Sequence, residues 1–102
     1  MTEELLSYEL NPDSDRLVLH GDLDEGATRE LRDLVAKVTD NLTRELVIDL
    51  TDVDFFPSSA VGVLAKARDD ARRHGAGITL VAAEGTVAQR VLTICGLPHL
   101  HA

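Results

Sequence analysis

Phe55-Phe56-Pro57-Ser58-Ser59-Ala60-Val61-Gly62-Val63-Leu64 is the stretch on which the fold turns. Just upstream, Leu46-Val47-Ile48-Asp49-Leu50 is a run of strand length, apolar enough to be covered on both faces. Downstream the pattern takes a helical period over residues 58–74, with Val61, Leu64 and Ala65 on the inward face. The stretch therefore hands a strand over to a helix and sets two adjacent hydroxyls at the junction. A helix N-terminus carries unpaired N–H groups and a partial positive charge, which favour anions. Ser58 there either caps the helix or carries a phosphate.

Toward the N-terminus, Ser7-Tyr8-Glu9-Leu10 and Arg16-Leu17-Val18-Leu19-His20 flank the turn-rich Asn11-Pro12-Asp13-Ser14-Asp15 and predict a hairpin. Gly21-Asp22-Leu23-Asp24 breaks that pattern. Over residues 27–39, Leu31, Leu34, Val35 and Val38 fall at i, i+3, i+4 and i+7, one face of a helix. After the 58–74 helix, whose last turn carries Arg72, Arg73 and His74, residues 78–83 predict another strand. Residues 87–95 predict a third helix, capped by Thr86, with Val87, Val91, Ile94 and Cys95 toward the core. Gly96-Leu97-Pro98 stops it, and the last residues are expected to add a stub of edge strand.

The two strand–helix–strand units require the strands ending at His20, Leu50 and Ala83 to run parallel. Their carboxyl ends then share one sheet edge, where open α/β sheets build binding sites. That edge gathers Gly21-Asp22-Leu23-Asp24, the 55–59 turn and Glu84-Gly85-Thr86.

The chain has 102 residues, read as one domain over 1–102, and 44% apolar residues, which supports a packed core over disorder. Its net charge of −8 is lopsided: residues 1–54 hold 15 acidic against 5 basic side chains, and residues 55–102 hold 3 against 5. With no basic stripe to neutralise phosphates, direct nucleic-acid binding is not expected. The acidic front half suits either a basic protein partner or simple solvation. One cysteine cannot form an internal disulfide. No apolar run reaches membrane-spanning length, so a cytoplasmic protein without membrane attachment is expected.

These motifs together resemble the STAS domains of bacterial anti-sigma factor antagonists. The family carries aromatic or apolar residues, then Asp-Ser-Ser/Thr-Gly, an apolar residue and Gly; here the segment reads Phe55-Phe56-Pro57-Ser58-Ser59-Ala60-Val61-Gly62. Gly21-Asp22-Leu23-Asp24 is similar to the family's Gly-Glu-Leu-Asp turn, and Ile94-Cys95-Gly96-Leu97 to its closing motif. Pro57 in place of aspartate and Ala60 in place of glycine depart from the pattern. The resemblance implies an α/β STAS fold, a mixed sheet of four or five strands with helices largely on one face. It implies protein binding without catalysis and without a cofactor. The implied partner is an anti-sigma factor of the serine-kinase type, which phosphorylates Ser58 and thereby ends the interaction, with a phosphatase restoring it. The implied binding surface is Asp22, Asp24, Phe56, Pro57, Ser58, Ser59, Val61 and Gly62. The alternative is a STAS scaffold or signalling subunit outside sigma control, constitutive and not phosphorylated.

Each of these residues also has a plainer reading. Ser58, Asp22 and Asp24 can be helix caps, Gly62 can serve packing, and consecutive Phe55 and Phe56 point to opposite sides, one to the core. The hydrolase elbow Gly-x-Ser-x-Gly is not met, since Phe56 and Ala60 stand where its glycines belong. His99-x-His101 has the spacing of a ligand pair but no accompanying thiol or carboxylate, so no metal site is expected.

Overall fold

In the computed structural model, which describes residues 6–11 and 13–101, two strands open the chain. They are β1 (Ser7–Asn11) and β2 (Arg16–Asp22), paired antiparallel with Tyr8 opposite Leu19. Pro12 of the predicted turn lies outside the described residues. Then follow α1 (Glu25–Val38), β3 (Leu46–Phe55), α2 (Ser58–Arg73), β4 (Ile78–Val81) and α3 (Val87–Cys95). The sheet order is β1-β2-β3-β4, with β2, β3 and β4 parallel. This is the mixed four-stranded sheet expected from the two crossovers. The expected terminal stub is a single parallel bridge, in which the Ala82 and Leu100 N–H groups donate to the Leu100 and Leu80 carbonyls.

The core is where period two meets period 3.6. Leu17 and Leu19 of β2, Ile48 and Leu50 of β3 and Leu80 of β4 present one sheet face. Leu31 and Val35 of α1 and Ala60 and Leu64 of α2 cover it, and all of these are at most 1% exposed. The opposite sheet face is polar: Arg16 donates to Asp49 at 2.7 Å, and His20 sits 2.7 Å from Glu9 and 3.5 Å from Asp52.

β3 runs five residues past the predicted Leu50, to Phe55. Its register against β2 shifts twice, between Val18 and His20 and between Gly21 and Asp22. These bulges let the outer half of β3 stay paired although its sequence, Thr51-Asp52-Val53-Asp54, has lost the apolar run that announces a central strand.

Helix α3 corrects the expected face. Ala88 and Leu92 are the buried residues, whereas Val87 is 43% and Ile94 78% exposed, and Cys95 is exposed rather than a core thiol. A nine-residue helix offers two stripes of similar period, 87-91-94-95 and 88-91-92, and the latter faces the sheet. Gly96 closes the helix at φ +69, a left-handed conformation that glycine takes without steric cost.

Candidate functional site

The carboxyl ends of β2, β3 and β4 lie side by side, and each feeds a helix. Asp22 is the register partner of Phe55, and the Leu23 N–H donates to the Phe55 carbonyl at 2.9 Å. These bonds tie the Asp22-Leu23-Asp24 turn to the strand end that leads into Pro57 and Ser58. The two candidate segments, far apart in sequence, thus form one surface.

The three helix starts on this edge are built differently. Asp24 is the N-cap of α1, its Oδ1 accepting from the Ala27 N–H at 2.9 Å. Thr86 is the N-cap of α3, its Oγ1 accepting from the Gln89 N–H at 3.2 Å while donating to the Ala83 carbonyl at 2.7 Å. The N-cap of α2 is Pro57, at φ −74 and ψ 164, and no side chain caps the helix. Its carbonyl accepts from the Ala60 and Val61 N–H groups at 3.0 and 3.1 Å. Ser58 therefore is not the cap: it is the first helical residue, its side chain free of the hydrogen bond a cap would make. Proline dictates this shift, because its φ suits a helix entrance and its ring offers no acceptor.

The predicted surface separates into exposed and buried members. Ser58, Ser59 and Gly62 are exposed along the first two turns of α2, and Asp22 and Asp24 are exposed on the neighbouring turn. Phe56 is 5% and Val61 8% exposed, so both belong to the core beneath the site. The exposed aromatic is Phe55, at 51%, next to Asp22. The alternation rule called for one phenylalanine inside and one outside, and only the bulged end of β3 settled which. Ala60 is fully buried, so the methyl that replaces the family's glycine points into the core and away from any partner.

Gly62 has open space around it: a Cβ built there would meet nothing within 4 Å. Packing does not require this glycine. Of the histidines, His20 is bound to Glu9, His74 closes α2 with Nδ1 2.8 Å from the Asp70 carbonyl, and His99 is bound to the Leu97 carbonyl. Among the described residues no group of three or more His, Cys, Asp and Glu side chains could hold a metal ion. No helix of the described residues is long and apolar enough to cross a membrane.

A parallel-edged four-stranded sheet with a serine-led helix after its central strand is the arrangement of a STAS domain. The family model of the STAS domain matches residues 12–101, and the chain belongs to that family. Among curated proteins it is similar to the anti-sigma-F factor antagonist RsfA of Mycobacterium tuberculosis, strains CDC 1551 / Oshkosh and H37Rv. It is 33% identical to each over 84 residues, which is 78% of this chain and 65% of the relative. The match thus spans just under two thirds of the length of these relatives. Among solved structures the fold matches the anti-sigma factor antagonist SpoIIAA in its unphosphorylated form. That TM-score is 0.67 at 20% identity, covering 90% of this chain and 81% of the other.

Proposed function

We propose that the chain is an anti-sigma factor antagonist that acts by binding and not by catalysis. It would meet its partner with the Asp22–Asp24 turn, Phe55 and the first turn of α2. The observation that carries this reading is the pair of exposed hydroxyls at an uncapped helix start. They stand in a STAS chain 33% identical to an anti-sigma-F factor antagonist. Ser58 is free to be modified without losing a structural bond. A phosphate adds about −1.5 to −2 charges, which the open N–H groups of the first turn accept. The fold survives such a change while the partner's surface meets a dianion, so the switch acts on the interface.

The partner in this reading is an anti-sigma factor with serine-kinase activity, a phosphatase resets the switch, and both work in the cytoplasm. Pro57 favours a second reading. It removes the carboxylate and the N–H that the family places before the serine, and a kinase that reads them would pass this chain by. The protein would then bind constitutively.

One experiment separates the two. The protein and its candidate anti-sigma kinase are mixed with ATP, and added phosphate is measured by mass spectrometry on wild type and Ser58→Ala. Phosphate on wild type alone supports the switch; none on either, with tight binding by both, supports the constitutive binder. Phe55→Ala should weaken that binding roughly tenfold, as expected of an exposed aromatic anchor. Unchanged affinity would remove Phe55 from the interface.

A further inference from the structure

Between α1 and α2, adjoining the first turn of α2, lies a groove of about 600 Å³. Residues 59, 62, 63, 66, 67 and 70 line one wall, so the groove follows α2 for three turns, about 16 Å at 1.5 Å per residue. Its floor is apolar, made by Val35, Ala36, Leu42, Val63 and Ala67 and left open by the bare Gly62. We propose that this groove receives an amphipathic helix with acidic flanks, contributed by the same partner that meets Ser58; the choice of partner rests on the antagonist reading above.

The chemistry of the walls selects the occupant. Both walls are helical, and along their middle the backbone N–H and C=O groups are already paired within α1 and α2. An extended peptide laid here would leave its own backbone unsatisfied, whereas a helix satisfies itself and presents only side chains. The rim is cationic in a chain of net charge −8. Arg32 stands on the α1 side without an ion pair among the described residues, and Lys66 stands on the α2 side. The rim's carboxylate, Asp70, is already shared by Lys66 at 3.4 Å and Arg73 at 3.5 Å. A basic helix would meet Arg32 and Lys66 with like charge; an acid-flanked one complements them.

Leu42 joins the groove floor at a conformational cost. It holds φ +67 at the end of three consecutive left-handed residues, a region a leucine rarely enters. The Thr39 hydroxyl accepts from the Leu42 N–H at 2.9 Å and keeps it there. At its other end the groove reaches Ser59, next to Ser58, so an acidic occupant lies beside the proposed phosphosite and would be repelled by a phosphate there.

The test uses the full chain, isotope-labelled for amide spectra, and two synthetic helices of about 14 residues, four turns, with one shared Leu/Ala face. One carries Glu on its flanks, the other Lys. The Glu-flanked helix should shift the amides of Gly62, Val63 and Ala67 and bind roughly tenfold tighter than its Lys counterpart. Gly62→Leu, whose Cβ meets no atom within 4 Å and whose longer side chain enters the groove, should abolish that binding, and the double change Arg32→Glu with Lys66→Glu should invert the preference. The dispersed amide spectrum of each variant verifies that it is folded. Equal affinity for the two helices, shifts confined to other parts of the chain, or no binding would overturn the proposal. So would decanoate occupying the groove in preference to both helices, which would make it a site for a small amphipathic acid. No kinase, ATP or phosphate enters this titration, so a helix that fails to bind leaves the Ser58 result standing, and an unphosphorylated Ser58 leaves the helix result standing.

Discussion

Helices α1 and α2 begin on the same sheet edge, at the ends of adjacent parallel strands, and the two starts are opposites. Asp24 closes α1 with a carboxylate on the Ala27 N–H, while α2 opens at Pro57 with nothing over its first turn. A side-chain cap normally contributes on the order of 1 kcal/mol. The chain takes that gain at α1, and again at α3 through Thr86, and leaves it out where Ser58 and Ser59 stand exposed. The contrast shows that α2 is held by its buried face, with no side-chain bond over its first turn.

The comparison breaks first, and most heavily, if α2 does not depend on packing. Leu64 is fully buried. Leu64→Ala should therefore cost about 2–5 kcal/mol in urea unfolding, through lost transfer energy and the cavity left behind. A loss below about 1 kcal/mol would show that something other than the core face anchors the helix.

The next effect tests the caps directly. Asp24→Ala and Thr86→Ala should each lower stability by roughly 1 kcal/mol, whereas Ser58→Ala should stay within about 0.5 kcal/mol of wild type. Equal costs at Ser58 and Asp24 would mean that Ser58 caps after all.

Acid sharpens the comparison by loading the other side of the sheet. Burial alone would raise the Asp49 carboxyl. Hydrogen bonds from Thr51 and the Arg16 guanidinium at 2.7 Å outweigh it and hold the group below its ordinary value of 3.8. Because the folded value lies below the unfolded one, this contribution is complete above about pH 4 and disappears as pH falls through the lowered value. Denaturation midpoints measured from pH 5 downward should drop more steeply for wild type than for Asp49→Asn. Parallel curves would place the acid-sensitive groups elsewhere.

The smallest expected effect is at Pro57 itself. Pro57→Asp adds a cap worth about 1 kcal/mol but releases the unfolded chain from proline's restraint, worth about 0.4–1 kcal/mol. The two nearly cancel, so the melting temperature should hardly move. A large gain would show that the open start of α2 is a liability of this chain and not a neutral feature.

Much of the fold was legible because its signals are local. The alternation in Leu17-Val18-Leu19, the stripe Leu31-Leu34-Val35-Val38 and the short apolar 46–50 run each specify an element without reference to the rest. The errors came where two local readings had equal merit. In α3 the stripes containing Ile94 and Leu92 share one period, and a nine-residue helix is too short to average the ambiguity away. At residues 57–58 the helix starts at Ser58 as expected, and of the two readings left open for that serine the cap is the one excluded, because Pro57 occupies the cap position.

The site was legible in part for the same reason. That the Asp22-Asp24 turn and the Ser58-Ser59 turn would share an edge followed from the parallel direction that two strand–helix–strand crossovers impose. Which side chains that edge shows did not follow. Phe56 went inside and Phe55 outside because β3 is bulged near its end, a register event with no residue signature. The groove was not foreseen at all, since it needs the spacing of two helices and the left-handed turn at Asp40, Asn41 and Leu42.

The order of strands and helices, their parallel sense and the hydroxyl pair at a helix entrance were written in the chain, because they follow from short-range period and from helical crossovers between strands. That the hydroxyls cap nothing, that Phe55 faces outward and that α1 and α2 enclose an apolar, cation-rimmed groove emerged with the assembled fold. Those outcomes depend on how distant segments pack against one another, and packing is a property of the assembled chain.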